Sequence, residues 1–342
     1  MKKQIIITVI AFIANCLLAN CFSQDIHFSQ YWMTPLLLNP AQAGSEHDMR
    51  GIINYKNQWN SVAEPYSTAN LSWDMKLGAK KSKKGFSAAG VNIFHDKAGD
   101  AQMKTLQGNL AYAYHVYLNQ QSTLGAALYG GFAQRSINYA GLQWMNQYDG
   151  ASYNSALPSG EPTGSTSMSY LDLGSGVHYE YGKEGNTNLD LSAGFSLFHI
   201  NQPKYSFYGT NEKLYMKETG YVHAVIGSKN SKLAFWPGLV YTQQGKNSEL
   251  LLGSLFRYTL KEDSKFTGYV KGSSFSLGAY YRNKDALIAA MLFQFGQYSL
   301  GLSYDVNVSG LKTASNGKGG FEISLRFVNP NPFLFKSAAR FN

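Results

Sequence analysis

Residues 297–308 read QYSLGLSYDVNV. Tyr298, Leu300, Leu302, Tyr304, Val306 and Val308 share one parity, while Gln297, Ser299, Gly301, Ser303, Asp305 and Asn307 share the other. Strand side chains alternate with period two, so this is a β-strand with one apolar and one polar face. A half-buried strand of a soluble sandwich has the same pattern. The fold class therefore depends on how often the pattern recurs and on what connects the copies.

Working back from this stretch, the pattern recurs almost without interruption from residue 51. Ile53, Tyr55 and Trp59 oppose Asn54, Lys56 and Gln58, and after a break at 61–64, Ala69, Leu71, Trp73 and Met75 oppose Asn70, Ser72 and Asp74. Comparable segments occupy 85–96, 102–118, 122–139, 167–181, 188–200, 215–227, 232–242, 248–259, 266–282, 285–295 and 319–328. Segment 266–282 is long enough to be split, and 285–295 alternates poorly. Together they predict a transmembrane antiparallel β-barrel of about fourteen strands, within the range of outer-membrane barrels.

Composition agrees with this. Only 15% of residues are charged, and the chain holds 34 Gly, 24 Tyr and 20 Phe, a mixture typical of strands and membrane interfaces. Mean hydropathy is -0.25, too polar for a helical membrane protein but suited to strands that place half their residues on a polar lumen.

Lys2 and Lys3 precede an apolar run over 5–18, followed by small and polar residues to Gln24. The pattern reads as a signal peptide over 1–24 with Asp25 as the mature start. The run falls short of the roughly 20 apolar residues of a spanning helix. Leu18-Ala19-Asn20-Cys21 offers a second reading as a lipid-attachment site, against which Asn20 is a poor small-residue match. Both cysteines, Cys16 and Cys21, lie in the removed segment, so disulfides and thiolate metal sites are not expected. Loss of Lys2 and Lys3 lowers the net charge from +9 to +7. The lysines cluster in turns such as Lys80, Lys81, Lys83 and Lys84, which fits solvated turns facing lipid head groups and not a nucleic-acid surface.

Residues 25–50 have no period-two alternation and contain Pro35 and Pro40. They form an expected pre-barrel segment, with Asn39-Pro40 as a turn signal. The barrel is expected over 51–329, with a tail at 330–342.

The connections carry an independent test. With both barrel ends periplasmic, odd-numbered connections should be long and even-numbered ones short. The longest, 140–166, 201–214 and 309–318, follow strands five, seven and thirteen; those after even strands, such as 119–121, 183–187, 228–231 and 261–265, are polar and mostly short. The faces also sort. Lys56, Asp74, Arg135, Asp172, Glu180, Asp190, Glu249, Arg257, Arg282, Asp305, Glu322 and Arg326 all fall on the polar parity, where they would point inward. A charge facing lipid at mid-membrane would cost about 2 to 4 kcal/mol.

No catalytic or metal constellation stands out. The seven histidines are scattered without an HxxxH spacing, and there is no phosphate loop, GxSxG or dinucleotide fingerprint. His178 and Glu180 share an inward face, which ordinary lumen filling explains as well as a hydrolytic site does. The tyrosines fit an interfacial girdle better than sugar-stacking platforms. Segment 140–166, a long loop with no structure of its own in the pattern, carries Trp144, Tyr148 and Tyr153 and is the candidate partner-binding loop. No enzyme activity and no cofactor are expected.

Specific stretches match a known family. DIHFSQYWMTPLLLNPAQAG at 25–44, RGIINYKNQW at 50–59 and PYSTANLSWD at 65–74 resemble the PorP/SprF family of type IX secretion membrane proteins, as do GAYYRNKDALIAAMLFQF at 278–295, LGLSYDVNVSGL at 300–311 and GGFEISLRF at 319–327. The motif residues are Phe28, Ser29, Gln30, Tyr31, Asn39, Pro40, Ala41, Gly44 and Trp59 near the start. Near the end they are Tyr304, Asp305, Gly320, Glu322, Leu325, Arg326 and Phe327. The resemblance implies an outer-membrane barrel working with type IX secretion components on a secreted surface protein, such as a gliding adhesin, through its C-terminal sorting domain. Asn39-Pro40-Ala41 also resembles the start of the fatty-acid transporter type of barrel, where the N-terminal segment lies in or near the lumen, which implies uptake of small or hydrophobic solutes as the alternative.

Overall fold

In the computed structural model the described residues are 25–60, 64–77, 84–139, 141–161, 164–183, 187–228, 231–262, 271–310 and 312–329. The expected signal peptide, the lysine-rich turn at 80–83 and the C-terminal tail lie outside them.

Fourteen antiparallel strands close into one barrel, each paired with its sequence neighbours and β1 paired with β14. They are β1 Met49–Gln58, β2 Tyr66–Leu77, β3 Gly85–Ala98, β4 Met103–Tyr117, β5 Ser122–Ser136, β6 Ser167–Lys183 and β7 Thr187–Phe198, followed by β8 Lys217–Ser228, β9 Leu233–Gln244, β10 Asn247–Lys261, β11 Ser273–Arg282, β12 Ala286–Phe295, β13 Tyr298–Asn307 and β14 Lys318–Asn329. Closure leaves no unpaired edge, the condition for strands to stand in hydrocarbon. The opening stretch is β13, with Ser299, Ser303, Asp305 and Asn307 buried inward and Tyr298, Leu300, Tyr304 and Val306 outward.

Several strand limits differ from those the alternation suggests. β1 stops at Gln58, and Trp59, expected on its outward face, turns off the strand at a φ of 60° to pack edge-on against Tyr66. β11 begins at Ser273; the expected extension back to residue 266 reaches positions 266–270, outside the described residues. Most of the stretch between β10 and β11, positions 263–270, lies outside the described residues, so the expected short connection at 261–265 lies largely outside them too. The two longest connections, 137–166 and 199–216, still share one end of the barrel, opposite the end where β1 starts and β14 stops. Long extracellular loops and periplasmic chain ends make that the outer end.

The poorly alternating segment is β12. Ala286, Ile288, Ala290 and Leu292 are buried, while Leu287, Met291 and Phe293 face outward, so both faces are apolar. An inward apolar row needs a partner inside the barrel, and residues 25–48 supply it.

Candidate functional site

Residues 25–48 run through the lumen from the outer end, where Asp25 lies beside Gln244 and Lys217, to the periplasmic end, where Lys76 N–H donates to Asp48 O at 2.8 Å before β1 begins. The path is a 3-10 turn at Tyr31–Met33, one α-turn at Pro35–Leu38 and a second 3-10 turn at Pro40–Gln42. Both prolines stand at first-turn positions, where their missing N–H costs nothing. Such a segment has unpaired backbone groups, so the walls must complete it.

On one side charged groups do so. Glu322 accepts from Ser29 N–H at 2.6 Å and from Gln30 N–H at 3.0 Å. Lys56 Nζ lies 3.1 Å from the Glu322 carboxylate and donates to His27 O at 3.0 Å. Ser29 Oγ donates to Asp305 at 2.7 Å and accepts from Arg282 at 2.6 Å, and Arg282 also reaches Asp305 at 3.1 Å. Lower in the lumen, Asp74 takes Gly44 N–H at 2.8 Å and Arg50 Nε at 2.9 Å. Each of these buried charges has an opposite charge and further hydrogen bonds, the arrangement under which burial is affordable. Gly44 has a φ of +63°, and a Cβ there would come within 2.7 Å of the Ala88 Cβ, so this bend requires glycine.

The opposite side is apolar. Tyr31, Trp32, Met33 and Leu38 pack against Tyr221, Val240, Leu251, Leu255, Tyr280, Ile288 and Leu292. Trp32 stacks on Tyr280 at 5.0 Å between ring centroids, and Tyr31 meets Tyr280 edge-on at 5.9 Å.

Asn39 joins the segment to a third stretch of wall. Its side-chain oxygen caps the second 3-10 turn by accepting from Ala41 N–H at 2.8 Å, and its amide donates to Val177 O at 2.8 Å. Gly176 and Gly194 make room for it: a Cβ on Gly176 would overlap the Asn39 carbonyl, and one on Gly194 would lie 2.7 Å from its amide nitrogen. In the same way a Cβ on Gly238 would overlap the Tyr31 hydroxyl, and one on Gly301 the Gln30 side chain. Inward glycines in the strands are thus sockets for the segment, a signal present in the sequence that strand alternation does not reveal.

At the outer mouth, His199 sits between two carboxylates. Its Nε2 is 2.6 Å from Asp25 and its Nδ1 2.8 Å from Asp172. Tyr129 and Gln107 donate to the second Asp172 oxygen. Burial opposes charging of the imidazole, but Asp25 and Asp172 outweigh it and raise His199 to about 9. The Asp25 carboxyl, which burial would push up, is instead held well below the usual carboxylate range by His199 and Lys217. Nothing in the sequence marks His199, because its partners lie at positions 25 and 172, far from it in the chain.

The motif residues from the two ends of the chain meet here. Ser29 and Gln30 touch Asp305 and Glu322; Phe28, Tyr31, Asn39, Pro40 and Ala41 are buried in the lumen. Gly320 pairs with Asp305 on one side and Gln58 on the other. Arg326 is buried and donates to Ser299 at 3.2 Å, while Tyr304 and Leu325 face outward and Phe327 packs on Tyr298. Trp144, Tyr148 and Tyr153 form a separate group on the outer loop 137–166. That loop, expected to be without structure, has a 3-10 turn at Met145–Gln147 and a bridge between Tyr148 and Tyr153. Ser165 N–H donates to Phe207 O at 2.8 Å, tying it to the loop over 199–216. His178 does not pair with Glu180 in this geometry; its Nδ1 is 2.7 Å from the Tyr221 hydroxyl, inside the packing around Asn39.

A closed barrel with apolar side chains outside, charge inside and its own N-terminal segment through the lumen defines an outer-membrane β-barrel protein. More narrowly, the chain belongs to the PorP/SprF family: the family model described as type IX secretion system membrane protein PorP/SprF matches residues 20–327. It is an outer-membrane protein, and its family and fold are those of a membrane barrel and not of an enzyme family. Similar solved structures include the toluene transporter TbuX of Ralstonia pickettii (10% identity, TM-score 0.47, covering 86% of this chain and 93% of that one). Others are the CymD monoaromatic hydrocarbon channel (12%, 0.46, 87% and 93%) and a Pseudomonas aeruginosa FadL homologue (9%, 0.45, 85% and 92%). No curated protein sequence matches the chain.

Proposed function

We propose that the protein is a non-enzymatic component of type IX secretion that assists export or surface attachment of a partner protein through the partner's C-terminal sorting domain. Family membership supports the secretion role, and one structural observation favours the outer loops as the contact: residues 25–48 fill the lumen and are bonded to its walls on every side. A macromolecular partner then meets the outer loops, where Met145, Tyr148, Tyr153 and Tyr208 are exposed on two loops tied to each other. Other type IX components would meet the periplasmic turns.

Deleting residues 141–161 while keeping the barrel should abolish surface display of at least one exported protein, read by surface proteomics. Unchanged display of all of them would sink the loop version. Pull-down of the extracted protein followed by mass spectrometry should recover an exported protein with a C-terminal sorting domain.

A second reading, uptake of small or hydrophobic solutes, draws on an apolar cavity at the outer mouth lined by Ile26, Phe28, Leu37, Val240 and Leu251. It requires the lumen segment to move. Conductance in planar bilayers that survives cross-linking of that segment to the wall would count against both the movement and the plug.

A further inference from the structure

A second cavity at the outer mouth lies between the start of the lumen segment and β3 to β8, lined in part by Gln107, Tyr129, Arg135, Tyr170, His199 and Tyr205. Three carboxylates and three cations surround it, and all but one of the cations are matched. Asp25 and Asp172 clasp His199, and Lys217 lies 3.5 Å from Asp25. Asp96 takes the Thr68 hydroxyl at 2.6 Å. Arg135 is the exception. Among the described residues no carboxylate lies within ion-pair distance of it, its Nε is buried without a hydrogen-bond partner, and its single hydrogen bond goes to the Met103 sulfur, a weak acceptor.

The guanidinium is held in place all the same. Its carbon lies 4.5 Å from the centre of the Tyr205 ring and 5.9 Å from that of Phe207, and Tyr205 meets Tyr170 edge-on at 5.7 Å. A guanidinium set against two rings on the lining of a cavity, with Asp25 and Asp96 on the same lining but no carboxylate among the described residues within ion-pair distance, can take a planar bidentate anion.

We propose that this cavity binds a carboxylate presented from the outside on a flat or aromatic stem, with Arg135 taking the carboxylate and Tyr170 and Tyr205 walling the stem. Both a free organic acid and the carboxyl end of a peptide have this chemistry. The site is independent of the export reading above, since it needs only the ligand and the barrel.

The test is calorimetric titration of the full barrel in detergent with benzoate and with N-acetylphenylalanine, each beside its uncharged amide. The acid should bind about tenfold or more tightly than its amide, the margin of a charge-assisted bidentate contact. Preference for benzoate would identify a free acid, and preference for N-acetylphenylalanine a chain end. Arg135→Gln should erase the acid–amide difference, and Arg135→Lys should retain only part of it. Equal binding of acid and amide by the unaltered protein, or no binding of either acid, overturns the proposal whether or not the variants fold.

Discussion

On the β13, β14, β1 and β2 side of the lumen, residues 25–48 are held by Glu322, Lys56, Asp305 and Asp74; on the β8 to β12 side they are held by rings and aliphatic side chains around Tyr31 and Trp32. The two walls hold the same stretch of chain by different physics. The charged wall supplies direction: a carboxylate that accepts two successive N–H groups fixes where the backbone of Ser29 and Gln30 runs. The apolar wall supplies area without direction. A plug held only by area could slide along the barrel axis, and one held only by charge pairs would gain little from leaving water. Together they give one register.

The comparison can be broken most severely on the charged side. Glu322→Ala leaves buried Lys56 with only the Asp305 carboxylate at 4.0 Å and leaves two backbone N–H groups without an acceptor, and should cost about 3 kcal/mol. The loss should appear as a lower unfolding midpoint in detergent, with protease sites opening in residues 25–48. If Glu322→Ala unfolds at the same midpoint, the charged wall does not hold the plug.

On the apolar side, Leu292→Ala removes a fully buried side chain and should destabilise by about 3 kcal/mol. Because no directional bond is lost, the position of Gln30 should not change, which a disulfide trap between cysteines at Gln30 and Ser303, whose side chains meet, would report.

Gly238→Ala pushes a methyl group into the Tyr31 hydroxyl, and Tyr31 is boxed in by Trp32 and Tyr280. The overpacking should cost about 2 kcal/mol and expose the upper plug without weakening β9 itself. Protection of the β9 amides in hydrogen exchange would separate the two effects.

The smallest effect is expected at the outer mouth and depends on pH. His199, raised to about 9 from an ordinary 6.5, contributes stability that is complete below 6.5 and lost as pH rises through 9. Asp25 is depressed, so its contribution is complete above its ordinary 3.8 and lost as pH falls below it. The groups facing His199 are Asp25 on the plug and Asp172 on β6, with Lys217 of β8 and Tyr129 of β5 one contact further out. A cysteine replacing Ile26 should therefore be protected from labelling between about pH 4 and 6.5 and become reactive toward pH 9, after correction for thiol ionisation. His199→Gln should remove the protection between about pH 4 and 6.5. A flat labelling profile would mean that the pair does not hold the start of the plug.

The two walls also differ in how visible they are in the sequence. Asp305, Glu322 and Lys56 stand out because a charge on one parity of an otherwise apolar-alternating strand has to point inward. The apolar wall leaves the opposite trace. In β12 inward Ile288 and Leu292 remove the alternation, so the strand most involved in holding Trp32 and Met33 is the hardest to recognise as a strand. The outer mouth leaves no local trace at all, since His199, Asp25 and Asp172 are brought together only by barrel closure. The structure of the loop carrying Tyr148 and Tyr153 was hidden for a related reason: it rests on turns around Asp149 and Gln147, which have no period.

From the sequence alone came the barrel, its fourteen strands, the inward charges and the end that carries the long loops. All of these follow from period-two alternation and connection length, which are local properties of a strand that must show one face to lipid. The tertiary structure decided that residues 25–48 pass through the lumen, that the two motif-bearing ends of the chain touch, that inward glycines are sockets, and that no carboxylate among the described residues lies within ion-pair distance of Arg135. Those facts depend on contacts between positions up to 293 residues apart, such as Ser29 and Glu322, and an irregular segment has no periodicity from which its partners could be read.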